Sequence, residues 1–273
     1  MEKQVIWRGI LAGALAGVLA FVWARIFVQP VIDRAIDYED GVGAAREALH
    51  SAAEHAHQHG HSHGEEGAAI TRAVQANIGM GLGLLGFSVA MAALLAIVFC
   101  VLYGRAQLSA RLLSVLIAGG MFVALWLVPA LKYPPNPPAV SLDETINQRT
   151  LLYLLLVALS AVLFAAAVYL GSRLAPKLGA WNATLAGAAG YLVAVAIVML
   201  ILPTIDETPG PIVDAAGTIV FDGFPADDLY EFRLFSLGTQ IVMWAAIGLV
   251  FAALVSRLLE GKRQQSTVGG TSA

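Results

Sequence analysis

The chain has 273 residues, 58% hydrophobic and only 13% charged, with a formal net charge of −3. Its mean hydropathy of +0.75 lies well outside the range of soluble domains, so the composition excludes a water-soluble enzyme and points to an integral membrane protein. Several apolar runs reach the roughly 20 residues a helix needs to cross the hydrocarbon, and the alternating pattern of barrel strands is not seen, so the fold class is an all-α transmembrane bundle.

In chain order the apolar runs lie near residues 5–28, 78–102, 112–131, 151–170, 184–202 and 235–255. They predict a single six-span membrane domain over residues 1–273, with both termini on one side and a flexible tail from residue 258 to 273. The first run follows Lys3 and Arg8, as a signal peptide would, but its apolar core is long for one, and a retained span is expected. The single cysteine, Cys100, sits inside the second run, which leaves no disulfide framework and no paired-cysteine metal or redox motif.

Charge fixes the orientation. The N-terminus, the short loops at 103–111 and 171–180 and the C-terminal tail hold nine basic residues: Lys3, Arg8, Arg105, Arg111, Arg173, Lys177, Arg257, Lys262 and Arg263. They hold two acids, Glu2 and Glu260, whereas the rest of the chain holds seven basic and seventeen acidic residues. Because Lys and Arg are retained on the cytoplasmic side, both termini are expected in the cytoplasm of a bacterial inner-membrane protein, with the long segments periplasmic or external.

Three outer segments follow, at 30–77, 132–150 and 203–233. Each opens near a proline at the outer end of an odd-numbered span, Pro30, Pro129 or Pro203, where proline stops or kinks a helix. Two echoes join them: P-x-I-D at Pro30 to Asp33 and Pro203 to Asp206, and Asp-Glu-Thr at Asp143 to Thr145 and Asp206 to Thr208. Each segment returns through an arginine, Arg72, Arg149 or Arg233, so a threefold hairpin repeat is one reading and coincidence at similar corners the other.

All six histidines fall in the first outer segment, in HSAAEHAHQHGHSH from His50 to His63. Neutral imidazole binds late first-row dications, and interspersed carboxylates widen the set. If this stretch is helical, His50, Glu54, His57 and His61 share one face; if it is extended, His55, His57, His59, His61 and His63 line one side. Gly60 and Gly64 argue against one rigid cage, so the expected behaviour is loose, multi-site capture of a divalent metal ion. The outer acids would concentrate such ions in front of the membrane.

Inside the spans the chain is poor in ionisable groups. No Asp, Glu, Lys or His lies well within any of the six, and Arg25 is close enough to its outer end to snorkel. A path for an ion would therefore use neutral oxygen or sulfur. Thr239 and Gln240 stand out because they follow Gly238 in the polar turn SLGTQ, and Asn136, Asp206, Glu207 and Arg233 are the candidate entrance. Gly9, Gly13 and Gly17 form a small-residue seam for a neighbouring helix, while Gly79, Gly81, Gly83 and Gly86 loosen the start of the second span. No zinc-protease, P-loop or nucleophile-elbow pattern appears, so an enzyme is not expected.

The strings LKYPPNPPAV from Leu131, LGAWNAT from Leu178 and EFRLFSLGTQIVMW from Glu231 resemble the CbtA family of predicted cobalt transporter subunits. So does the opening LAGALAGVLAFVWARIFVQPVIDRAI followed by a His-rich loop, and the resemblance covers nearly the whole chain in order. It implies a membrane subunit for cobalt uptake linked to cobalamin synthesis, acting with a small single-span CbtB-type partner. The sequence departs from the family pattern at Asp206, where the family has an Asn before the Glu. The resemblance alone supplies Co2+ as the transported ion, since His-rich ligand sets would also take Ni2+ or Zn2+ in vitro. No covalently bound cofactor and no nucleic-acid partner are expected, and a homo-oligomer is left open. The competing readings are a membrane metal sensor or scaffold that moves nothing, and a carrier of an unrelated organic solute.

Overall fold

Runs of apolar and small residues with no interior charge favour helix, because in hydrocarbon each backbone polar group must be satisfied within its own segment. Five helices long and apolar enough to cross a bilayer result: Glu2–Ser51, Met80–Leu102, Ala110–Lys132, Ile146–Ile201 and Ala226–Leu259. The structure is a computed structural model and describes residues 2–54, 78–106, 108–140 and 144–269. His55, His57, His59, His61 and His63 lie outside the described residues, as does Asp143.

The elements are α1 (Glu2–Trp23), a π-helical segment (Ala24–Val28), α2 (Gln29–Glu54), α3 (Met80–Leu102) and α4 (Ala110–Phe122). A second π-helical segment (Val123–Leu127) follows, then α5 (Val128–Lys132), α6 (Ile146–Ile201), strands β1 (Ile212–Val213) and β2 (Ile219–Phe221), and α7 (Ala226–Gly269).

The described residues fall into two compact units, one drawn from 1–24, 71–123 and 237–273 and the other from 25–70 and 124–236. In the first, α1 packs on α3 through the small-residue seam. A Cβ on Gly9 would meet the Ala92 carbonyl oxygen at 2.8 Å, and one on Gly13 would meet Val89 Cα at 2.7 Å. The closeness lets Ser88 Oγ, fully buried, donate to the Gly13 carbonyl at 2.8 Å. Of the four glycines expected to loosen the start of the second span, Gly79, Gly83 and Gly86 face open space, and Gly81 lies beside the Phe21 ring. Gly248 of α7 takes Ala118 of α4, and Phe99 meets the Phe251 ring edge-on at 5.4 Å.

In the second unit, Ala35, Val140 and Phe224 form a buried cluster under Tyr38 and Leu229. Arg34 of α2 is tied to Asp228, at 2.6 Å, and to Glu231 at the start of α7. The fourth and fifth apolar runs are both part of α6, which changes direction at Gly179, φ 79°, a left-handed conformation that suits glycine. Its arms return on each other: Ser160 and Tyr191 share a hydrogen bond of 2.7 Å, Phe164 meets the Tyr191 ring edge-on, and Gly187 lies against the Ala167 carbonyl.

Local structure differs from the sequence reading in four places. Of the two effects expected at Pro30, the helix is disturbed and not stopped: a π-helical segment precedes the proline and helix continues to Glu54, within the segment predicted as loop. The segment 203–233 holds a two-stranded hairpin, closed by Asp214 accepting from Ala216 N and Thr218 N and by Gly217 at φ 81°. Helix α7 runs on to Gly269, where a flexible tail was expected from residue 258. The P-x-I-D echo is helical at Pro30 to Asp33 but non-helical at Pro203 to Asp206, which weakens the threefold repeat.

Candidate functional site

The proline-rich loop after α5 cannot form helix, since its prolines lack the donor N–H, and it turns back through a hydrogen bond from Val140 N to the Pro137 carbonyl. Ala139 takes φ 69°, a conformation an L-residue adopts only under constraint. The turn presents Asn136 to the segment after α6, where Glu207 is 4% exposed and its neighbour Asp206 faces out.

Glu207 is the centre of a side-chain network. Arg149 Nη1 donates to Oε2 at 2.7 Å, Thr145 Oγ1 donates to Oε1 at 2.7 Å, and Asn136 Nδ2 donates to Oε2 at 3.3 Å. The other Arg149 amino group donates to the Pro134 carbonyl. Asn136 uses its oxygen as well, accepting from Arg233 Nη2 at 3.0 Å, while Arg233 Nε is buried without a hydrogen-bond partner. Tyr133 completes the brace by donating to the Pro203 carbonyl at 2.8 Å. A cavity of about 260 Å³ opens beside it, lined by Trp126, Tyr133, Pro134, Arg149 and Tyr153 among others.

The charges decide what this arrangement can do. Two guanidinium groups surround one buried carboxylate, and Asp206, the other acid nearby, has its oxygen on the Thr208 amide. Arg233 precedes the apolar run at 235–255. A dication entering here meets two guanidinium groups and a carboxylate already holding three donors, so Glu207 is a poor metal ligand in this geometry. The network ties the segment 132–150 to the segment 203–233.

Of the entrance and path residues read from the sequence, Asn136, Glu207 and Arg233 are therefore brought together, with Asp206 at the edge. Thr239 and Gln240 belong to the other unit, where Thr239 is buried and Gln240 Oε1, with Trp244 Nε1 one turn on, is buried without a hydrogen-bond partner. Arg149 and Thr145 were missed as site residues. Arg149 stood out only as a returning arginine and Thr145 only as part of an echo; the signal was the Asp-Glu-Thr repeat, whose two copies meet through Thr145 and Glu207.

For the histidine tract, α2 supplies helix as far as Glu54, so His50 and Glu54 are one turn apart on it, and His50 is exposed. The described residues contain no group of three His, Cys, Asp or Glu side chains able to hold a metal ion. A family model described as a probable cobalt transporter subunit (CbtA) matches residues 2–256. No curated protein and no solved structure matches the chain.

Proposed function

Because the chain belongs to the CbtA family of probable cobalt transporter subunits, we propose that it is a membrane subunit of a Co2+ uptake transporter. Its outer His- and acid-rich segment captures the ion, and its helices conduct it alone or together with a small single-span partner. The observation that carries this reading is the family match across nearly the whole chain. The long apolar helices agree with it, with 42 large apolar side chains left exposed among the described residues, as suits a lipid surround. Counting the two arms of α6 separately gives six spans, with both termini cytoplasmic in a bacterial inner membrane and the histidine tract outside.

In this reading the Glu207 network is a brace at the outer mouth and not the site that holds the metal. Arriving Co2+ is attracted by exposed acids, Asp206 among them, and by the histidines. It then passes neutral ligands, of which Gln240 Oε1 is the leading one because it is buried and unpartnered. No catalytic step is involved.

Radioactive cobalt uptake by cells expressing the chain, with and without a single-span partner, tests the proposal; uptake unchanged on removing the chain under cobalt limitation would sink it. A second reading, a metal sensor or scaffold that moves nothing, draws on the lack of a three-ligand cluster among the described residues. It predicts cobalt binding without uptake, by the same assay run alongside equilibrium dialysis.

A further inference from the structure

Within the described residues the chain passes between its two units three times, from Ala24 to Arg25, from Val123 to Ala124 and from Ser236 to Leu237. The first two passages coincide with two π-helical segments, Ala24–Val28 and Val123–Leu127, while the π-helical residues Ile78 and Gly79 lie within one unit. Each segment is followed by one residue and then a proline, Pro30 or Pro129. The third passage lies in α7 beside Gly238, where a Cβ would fall 2.5 Å from the Trp23 ring.

The spacing has a chemical cause. Proline carries no N–H, so the carbonyl four residues back, at Ile26 or Leu125, has no α-helical donor. In the wider register the carbonyl five back, at Arg25 or Ala124, loses its donor instead. Either way one carbonyl within each π-helical segment lacks a main-chain partner, and neither register is strongly preferred. Such a turn is where a helix bends with least loss of hydrogen bonding, and glycine at the third passage is the weakest helix former after proline.

We propose that the two π-helical segments, Ala24–Val28 and Val123–Leu127, are hinges about which the two units move. The hinge stands on the backbone alone; only its consequence for transport, that bending at these segments accompanies uptake, rests on the cobalt-transporter reading.

The full chain in lipid nanodiscs, with Pro30→Ala and Pro129→Ala singly and together, tests it. Amides in the two segments should exchange hydrogen faster than those in the flanking turns, and each alanine should slow its own segment by about tenfold or more. Uniform exchange that the variants leave unchanged overturns the proposal. Spin labels on Arg105→Cys and Thr218→Cys, one exposed position in each unit, in a Cys100→Ala background give the second measurement. A broad or double distance distribution that narrows in the double proline variant supports the hinge; a single narrow one in the parent chain overturns it, whatever the exchange result. In uptake, the double variant should lower Vmax with KM little changed. If the parent chain takes up no cobalt, the transporter reading fails while exchange and label distances still decide the hinge.

Discussion

Glu207 shows how much one buried carboxylate can require of its neighbours. Its side chain is 1% exposed and that of Arg149 18%, so the pair has little water to fall back on if either partner is removed. Breaking such a pair leaves an uncompensated buried charge, a loss of about 3–5 kcal/mol. Arg149→Ala is therefore expected to lower the unfolding temperature sharply in detergent or nanodiscs, whereas Glu207→Gln, which removes the charge and keeps an acceptor for Thr145, should lower it less. Equal shifts for the two would mean the charge is not what matters there. Gln240 offers the opposite case, because an unpartnered buried carbonyl oxygen costs about 1–3 kcal/mol. Gln240→Leu should raise the unfolding temperature; if the oxygen serves the ion, the same change should depress cobalt uptake, and a stabilised variant with normal uptake would remove Gln240 from the path.

Among the elements, the α1–α3 seam is the part that the sequence made most legible. Gly9, Gly13 and Gly17 at every fourth residue announce a close helix contact, and the partner surface of Ser88, Ala92 and Ala96 has the small size that contact needs. Gly13→Ala brings its new methyl within 3 Å of Val89 Cα, Ala92 Cβ and the Ser88 carbonyl, two of them backbone, so the helices must separate. A loss of about 1–3 kcal/mol is expected in a thermal or denaturant titration. Gly83→Ala, with nothing within 4 Å, is the matched control and should be neutral or slightly stabilising. The π-helical segments were not legible, because hydropathy is nearly blind to a single-turn change of hydrogen-bond register; Pro30 and Pro129 signalled a disturbance but not its form. The Glu207 network escaped for another reason. Its partners are 58 to 71 residues away in the chain, and local pattern carries no information on such pairing beyond the repeated Asp-Glu-Thr.

For the molecule as a whole, the sequence concentrates its most conspicuous chemistry in one histidine tract, while the described residues place the buried polar brace elsewhere. On the proposed function, capture and conduction are separable tasks with separable kinetics. A loose array of imidazoles and acids raises the local ion concentration and the rate of encounter, which acts before the ion commits to a path. Deleting residues 54–63 should raise the apparent KM for cobalt by roughly tenfold and leave Vmax mostly intact. On the same proposal, substitutions at Asn136, Arg233 or Gln240 act on the mouth or the path and should reduce Vmax, so the tract is expected to be the better tolerated loss. A sensor would behave otherwise, since a protein that reports on metal loses its response entirely when its binding tract is cut away. A carrier of some unrelated organic solute would be indifferent to the deletion at every cobalt concentration. The three outcomes of one deletion, a shifted KM, an abolished response or no change, therefore divide the three readings without a metal-bound structure.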